Sequence, residues 1–283
     1  MKRGIEYLER AAKLSSLSAA YNLGFLFKTG TSGVPKNLQK CIEWHRKAAE
    51  RGYAASQFEM YLAYTPPDGN GEDFTGVLDP DPVEALRWLK LAAAQGHATA
   101  TLRLGNALAF GSHLNNHHYV PVRVPPHAMC SGSDPTAAVR FYRAGAERGC
   151  SASAKSLGNM YLIGCDPEVC NRIYRGFGVS QSFKYACHWF MKAAFDGEDG
   201  QDTSRAGAMM ALAWFWANGH HRFYNPAVLD GTPDPTAVAK LMDLAAELVH
   251  PKALKYKCLS SKDKAAVMAW PFPPGLFNHP LLK

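Results

Sequence analysis

A chain of 283 residues that is 47% hydrophobic and 19% charged has ample material for a buried core, and no apolar run in it reaches the length of a membrane span. The formal charge of +7 and a pI near 9.0 favour acidic partners, but the Lys and Arg residues are scattered rather than blocked, which argues against nucleic acid. Seven cysteines, an odd count without regular spacing, point away from a disulfide framework and toward a reducing compartment such as the cytoplasm; the organelle is not legible.

The chain opens inside an amphipathic helix carrying Ile5, Leu8, Ala11 and Ala12, with no helix or targeting sequence before it, a beginning expected of a fragment or a truncated gene model. A complete unit follows from Ala19 to Gly52: a short apolar helix A over residues 19–28, a Gly-punctuated loop, and an amphipathic helix B over residues 38–50 closed by Gly52. Degraded copies recur to the end of the chain, with B helices ending near residues 12, 49, 93, 146, 194 and 246, so residues 1–259 read as one array. Beyond Leu259 a last helical stretch over residues 262–270 precedes PFPPGLFNHPLLK, whose prolines exclude a helix. Residues 260–283 are thus expected to be a helix and a Pro-rich tail capping the last repeat.

Stacked on their B-helix endings, the copies fall into columns. The large apolar column is Tyr7, Trp44, Trp88, Phe141, Trp189 and Leu241, stepping by 37, 44, 53, 48 and 52 residues. Seven places before its last five members stand Asn37, Asp81, Asp134, Ser182 and Asp234, all able to accept from the free N–H groups of a first helical turn. Pro82, Pro135 and Pro235 follow three of these caps, and Glu84 completes a capping box with Asp81. Small residues Cys41, Ala85, Ala138, Ala186 and Val238 let helix A approach, and Gly52, Gly96, Gly149 and Gly197 end helix B in a left-handed turn. Helix A carries Leu23-Gly24, Leu104-Gly105 and Leu157-Gly158, with Phe27, Leu108 and Tyr161 three places on along the same core-facing side. Met60-Tyr61, Leu212-Ala213 and Lys257-Cys258 depart from this pair; Tyr61 is expected to widen its hairpin, and Lys257 to mark a frayed or capping unit.

The stretches NLGFLFKTGTSGVPKNLQKCIEWHRKAAERGYAASQ, LKLAAAQGHATATLRLGN and GFGVSQSFKYACHWFMKAAFDG resemble the Sel-one-like repeat family, relatives of the tetratricopeptide repeats, and the resemblance runs from about Ile5 to Leu259. It implies an all-α, right-handed α-solenoid of about five or six helix-turn-helix hairpins with inserted loops, acting as an adaptor and carrying no catalytic residue. Some relatives staple each hairpin with a Cys pair; the columns here show none.

Four insertions separate A from B helices, at residues 65–82, 111–133, 165–178 and 220–233, so they are expected along one edge of the stack, either as a binding edge or as padding. His113, His117, His118, His127 and Cys130, with Cys165, Cys170 and Cys187, offer nitrogen and sulfur for zinc, but no close Cys pair stands beside the histidines. His220 and His221 read as a turn, and phosphate loops, dinucleotide fingerprints, HExxH and nucleophile elbows do not occur. Neither a metal nor a cofactor is therefore expected, and no catalytic residue.

The residue before Leu and the residue after Gly in each helix A face away from the core. The resemblance implies that this face is concave, and the expected partner-binding residues on it are Asn22, Phe25, Glu59, Arg103, Asn106, Ser156, Asn159 and Trp214. Asn106 and Asn159 can hold an extended peptide backbone through donor and acceptor together, or simply be solvated. Trp214, in a helix A that is apolar nearly all round with Trp216, is either a groove anchor or a residue buried beneath the neighbouring insertion. The function read from these columns is a non-enzymatic scaffold for a protein or peptide. Uneven steps and mixed columns argue against an RNA reader of one base per repeat, and a metal- or cofactor-carrying protein built on the loops is the third reading.

Overall fold

A computed structural model describes residues 2–31, 33–65, 74, 76–110, 134–164, 179–197, 202–218, 234–248 and 251–268. They form 13 α-helices and no strand. The chain divides into two compact units, Met1–Ser133 and Asp134–Lys283.

The first unit holds α1 (Lys2–Lys13), α2 (Leu17–Thr29), α3 (Leu38–Glu50), α4 (Ala54–Tyr64), α5 (Pro82–Ala94) and α6 (Ala98–Phe110), each packed against the helix before it. The second holds α7 (Pro135–Glu147), α8 (Ser151–Ile163), α9 (Phe183–Phe195), α10 (Asp202–Ala217), α11 (Pro235–Glu247), α12 (Pro251–Lys257) and α13 (Ser261–Met268). From α7 to α12 each helix again packs on its predecessor, and α10 also packs on α8.

The expected N-caps all form. Side chains of Asn37, Asp81, Asp134, Ser182 and Asp234 accept from backbone N–H groups two or three residues on. The capping box is half made, because the Glu84 carboxylate turns to Arg87 at 2.8 Å while the Asp81 N–H donates to the Tyr64 carbonyl at 3.0 Å. That second bond belongs to a series. The N–H groups of Asn37, Ser182 and Asp234 likewise donate to the carbonyls of Phe27, Tyr161 and Trp216, at 2.8, 2.8 and 3.1 Å. Four A-to-B loops of different length are thus closed by the same bond in the same register. Once the ends are pinned, extra loop residues cost little, since closure entropy grows only with the logarithm of length.

Glycines do two jobs at the turns. Gly52, Gly96 and Gly149 follow B helices at φ of 91°, 81° and 82°, in the left-handed region. Gly197 does not adopt it; a Cβ there would collide with the Ser151 side chain, so close approach is what demands glycine. The turn after α1 puts Ser15 at φ 80°, the position that Gly52 holds after α3. Ser15→Gly is expected to stabilise the first unit by roughly 0.5–1 kcal/mol, the left-handed penalty less the added freedom of the unfolded chain, read as a shifted urea midpoint.

The core column is one residue later than the sequence columns suggest. Trp88, Trp189 and Leu241 are buried, but Trp44 and Phe141 are half-buried and Tyr7 is 68% exposed. Their C-terminal neighbours His45, Leu89, Tyr142, Phe190 and Met242 are at most 2% exposed. A helix buries a stripe at least two residues wide, and the aromatic column marks its edge rather than its centre. The Gly of Leu-Gly serves this inner column: a Cβ on Gly158 would stand 2.8 Å from the Phe190 ring, and one on Gly24 would stand 2.6 Å from the His45 ring. In the α4–α5 hairpin Tyr61, 1% exposed, takes the glycine's place, and the inner residue of α5 is the smaller Leu89. Volume moves from helix B to helix A.

Helix α10 is buried continuously from Ala206 to Phe215, which an all-round apolar sequence requires. Its cover is α8, α9 and α11. At the C-terminal end α12 stops at Lys257, whose ammonium lies 2.9 Å from Asp243, and Cys258 is exposed. The final helix spans Ser261–Met268; the expected tail lies outside the described residues. So do three of the four insertions, with His113, His117, His118, His127, Cys130, Cys165, Cys170, His220 and His221.

Candidate partner-binding face

The residues expected to meet a partner fall into two groups, one in each unit. In the first unit Asn22 is exposed and Phe25 is 47% exposed, one turn apart on α2. Glu59 of α4 is half-buried and its carboxylate is held by Lys28 of α2 at 2.7 Å, so it ties two A helices together. Arg103 of α6 sets its guanidinium 5.9 Å from the rings of Phe58 and Tyr61, a cation–π bridge between α6 and α4. Asn106, half-buried, follows one turn later on α6. The A-helix face of this unit is therefore a surface cross-linked by an ion pair and a stacked arginine.

Beneath that face an aromatic seam joins successive hairpins. Tyr21 lies 5.6 Å from Tyr53 and 5.4 Å from His45, and Phe58 stacks on His97 at 4.8 Å. Burial, then the Glu59 carboxylate, raises the Tyr21 phenol above its ordinary pKa, and burial lowers that of His97. Both stay neutral at physiological pH, as packing elements do.

In the second unit Ser156 and Asn159 are half-buried on α8, three residues apart on one face. Trp214 of α10 is 7% exposed and meets Phe215 edge-on at 5.6 Å, which removes it as a surface anchor. Trp216 is half-buried. The column containing Trp214 is thus open at Phe25 of α2 and closed in α10, which packs on α8, α9 and α11. Sequence reading missed Lys155, half-buried on α8 beside Ser156; its signal is a lysine in a column otherwise held by Tyr21, Phe58, Leu102 and Met210.

No three His, Cys, Asp or Glu side chains converge among the described residues, and no described helix is long and apolar enough to cross a membrane. Cys41, Cys150, Cys187 and Cys258 are free thiols. Burial pushes the Cys187 thiol up to about 12, so it remains protonated and inert.

Against known proteins the pattern is specific. The Sel1 repeat model matches residues 1–16, 17–53, 68–97, 130–150 and 157–194, together about half of the chain. A Sel1 repeat protein from Oxalobacter formigenes superposes with a TM-score of 0.61 at 25% identity, covering 87% of this chain and 79% of that one. A protective antigen of uropathogenic Escherichia coli that displays an SLR fold gives a TM-score of 0.59 at 20% identity, over 93% of this chain and 47% of that one. In sequence the chain is 24% identical over 258 residues to the chitin synthase regulator SKT5 of Saccharomyces cerevisiae, across 85% of this chain. That alignment spans 31% of the yeast protein. The fold is accordingly the all-α solenoid of this class, whose members are scaffolds, generally non-catalytic and commonly engaged in protein interaction. With one matched repeat beginning on the first residue of α2 and ending just before α4, the chain belongs to the Sel1 repeat family.

Proposed function

We propose that this chain is a non-enzymatic adaptor that holds a protein or peptide along the A-helix face of its units. The observation that supports this most directly is the division of labour within helix A. The Leu-Gly pairs are spent on the core with Phe27 beside the first of them, while Leu108 and Tyr161, three places after the other two glycines, are only half-buried, and Asn22, Phe25, Arg103, Asn106, Ser156 and Asn159 remain wholly or partly at the surface. Side-chain amides spaced along such a face suit the backbone of an extended chain, each amide offering both a donor and an acceptor. The yeast relative is by name a regulator of an enzyme, which agrees with a role in acting on another protein.

RNA is the competing reading, and the steps of 37 to 53 residues between B helices do not suit an array that reads one base per repeat. Replacing Asn106 and Asn159 together with alanine is expected to leave the melting temperature within a degree or two and to weaken partner capture at least tenfold. The measurement is an affinity pull-down from the native cell with intact protein and the double variant, each with and without RNase. An RNase-resistant protein lost in the variant supports the adaptor. Undiminished capture by the variant removes these asparagines from the site, and recovery of RNA alone replaces the adaptor with the RNA reading.

A further inference from the structure

The seam between successive A helices carries one residue that does not belong to an apolar contact. Two places before Leu23, Met60, Leu104, Leu157 and Leu212 stand Tyr21, Phe58, Leu102, Lys155 and Met210. Tyr21 and Phe58 make the ring contacts of the first unit, and Met210 is 1% exposed. Lys155 takes that place in α8 and lies along α10 where α10 has no side chain: a Cβ on Gly207 would stand 3.3 Å from its Cδ and 3.4 Å from its Nζ. The residues equivalent to Gly207 in the other A helices are Ser18, Ala55, Thr99 and Ala152. Glycine occurs in that column only opposite the lysine.

No carboxylate pairs with Lys155 among the described residues, whereas Lys28, Arg87, Arg205 and Lys257 each have one. Burial, with no opposing charge, depresses its pKa. A half-buried ammonium packed on another helix without a counter-ion is unfavourable for the chain alone and becomes more favourable when an anion completes it. Asn159 lies one turn further along the same face of α8, within reach of a group that also touches Lys155.

We propose that Lys155 and Asn159 form a carboxylate-binding site, the ammonium taking one carboxylate oxygen and the Asn159 amide N–H the other. The ligand class is an acidic peptide segment, and this rests on the adaptor reading. A phosphate, carrying close to two charges at neutral pH, calls for a second cation, and Arg205, two residues before Gly207 on α10, is paired with Asp202 at 3.4 Å. The chain's net charge of +7 draws acidic segments toward it.

The test uses the full chain with its lysines reductively 13C-dimethylated, the Lys155 resonance being identified by its absence in Lys155→Met. Three probes separate the sources of the carboxylate: acetyl-hexaglutamate amide, acetyl-hexaalanine with a free C-terminus, and acetyl-hexaglutamine amide. The resonance is expected to titrate below the other lysines. Hexaglutamate, or hexaalanine if the chain end is the ligand, should move its midpoint back toward theirs, hexaglutamine should not, and Asn159→Ala should weaken the response at least fivefold. Lys155→Met should unfold at higher urea than the natural chain. A Lys155 resonance that titrates with the bulk, or that ignores both carboxylate peptides, overturns the site. Undiminished capture of a cellular partner by Lys155→Met also overturns it while leaving the adaptor intact. Recovery of RNA alone in the RNase-controlled pull-down, with hexaglutamate still bound at Lys155, removes the adaptor reading and leaves the carboxylate site standing.

Discussion

Phe190→Ala is expected to lower the stability of the second unit by about 3–5 kcal/mol, the loss seen when a large aromatic leaves a closed core. Phe190 is fully buried, its ring rests on Gly158 of α8, and it touches Phe215 of α10 edge-on at 6.1 Å, so three helices lose a shared contact at once. Its neighbour Trp189, at the edge of the same stripe and 8% exposed, should cost less when truncated. The companion experiment is Gly158→Ala. A methyl there meets the Phe190 ring at 2.8 Å, and with the ring fixed it should cost about 1–3 kcal/mol through overpacking. Combining Gly158→Ala with Phe190→Leu should recover part of the loss, following the exchange of volume between Tyr61 and Leu89 in the α4–α5 hairpin. Urea unfolding of the natural chain, Gly158→Ala, Phe190→Leu and their double variant decides it. Additive losses would mean that glycine and ring do not share one space.

The second large effect is expected in the first unit on acidification. His45 occupies the inner column at 2% exposure, with Gly24 against its ring, Nδ1 3.5 Å from the Ser56 hydroxyl and Nε2 without a partner. Burial is the main cause that lowers its pKa to about 4; Glu59 of α4 pulls the other way and Lys28 of α2 adds to the lowering. Because the folded value lies below the unfolded value near 6.5, the unfolded chain takes up the proton first. The contribution is therefore present in full above about pH 6.5 and is lost progressively as pH falls to about 4. The loss is about 3 kcal/mol by linkage. His45→Leu, the residue that α5 carries in this column, should remove this share of the dependence, while the share from His97, whose pKa burial also lowers, remains in both proteins. Urea midpoints of both proteins at pH 7.5 and 4.5 measure it, and parallel shifts would show that His45 is not the titrating group. Carboxylates elsewhere contribute equally to both proteins and cancel.

Much of this architecture was readable residue by residue. Helix caps depend on a side chain and an N–H two or three places away, so Asn37, Asp81, Asp134, Ser182 and Asp234 were legible without any tertiary contact. Repetition turned those local signals into a family and a fold, because a hairpin that cannot bury its own face must stack on copies of itself. The positive φ of Gly52, Gly96 and Gly149 followed from the same short-range geometry.

The failures have a common cause in contacts between residues far apart in the chain. That His45, Leu89, Tyr142, Phe190 and Met242 are the centre of the stripe, and the tryptophan column its edge, depends on how each helix rotates against its neighbours. A hydrophobic pattern fixes that rotation only to within a residue. The candidate face shows the same division. Phase alone placed Asn22, Phe25, Asn106 and Asn159 away from the Leu-Gly side. Phase could not tell that Glu59 would meet Lys28, that Trp214 would be buried in a helix packed by α8, α9 and α11, or that Lys155 would lie on Gly207. Caps and turns are set by dihedral angles and bonds spanning a few residues, whereas exposure and ion pairing arise when helices dozens of residues apart exclude water from between them.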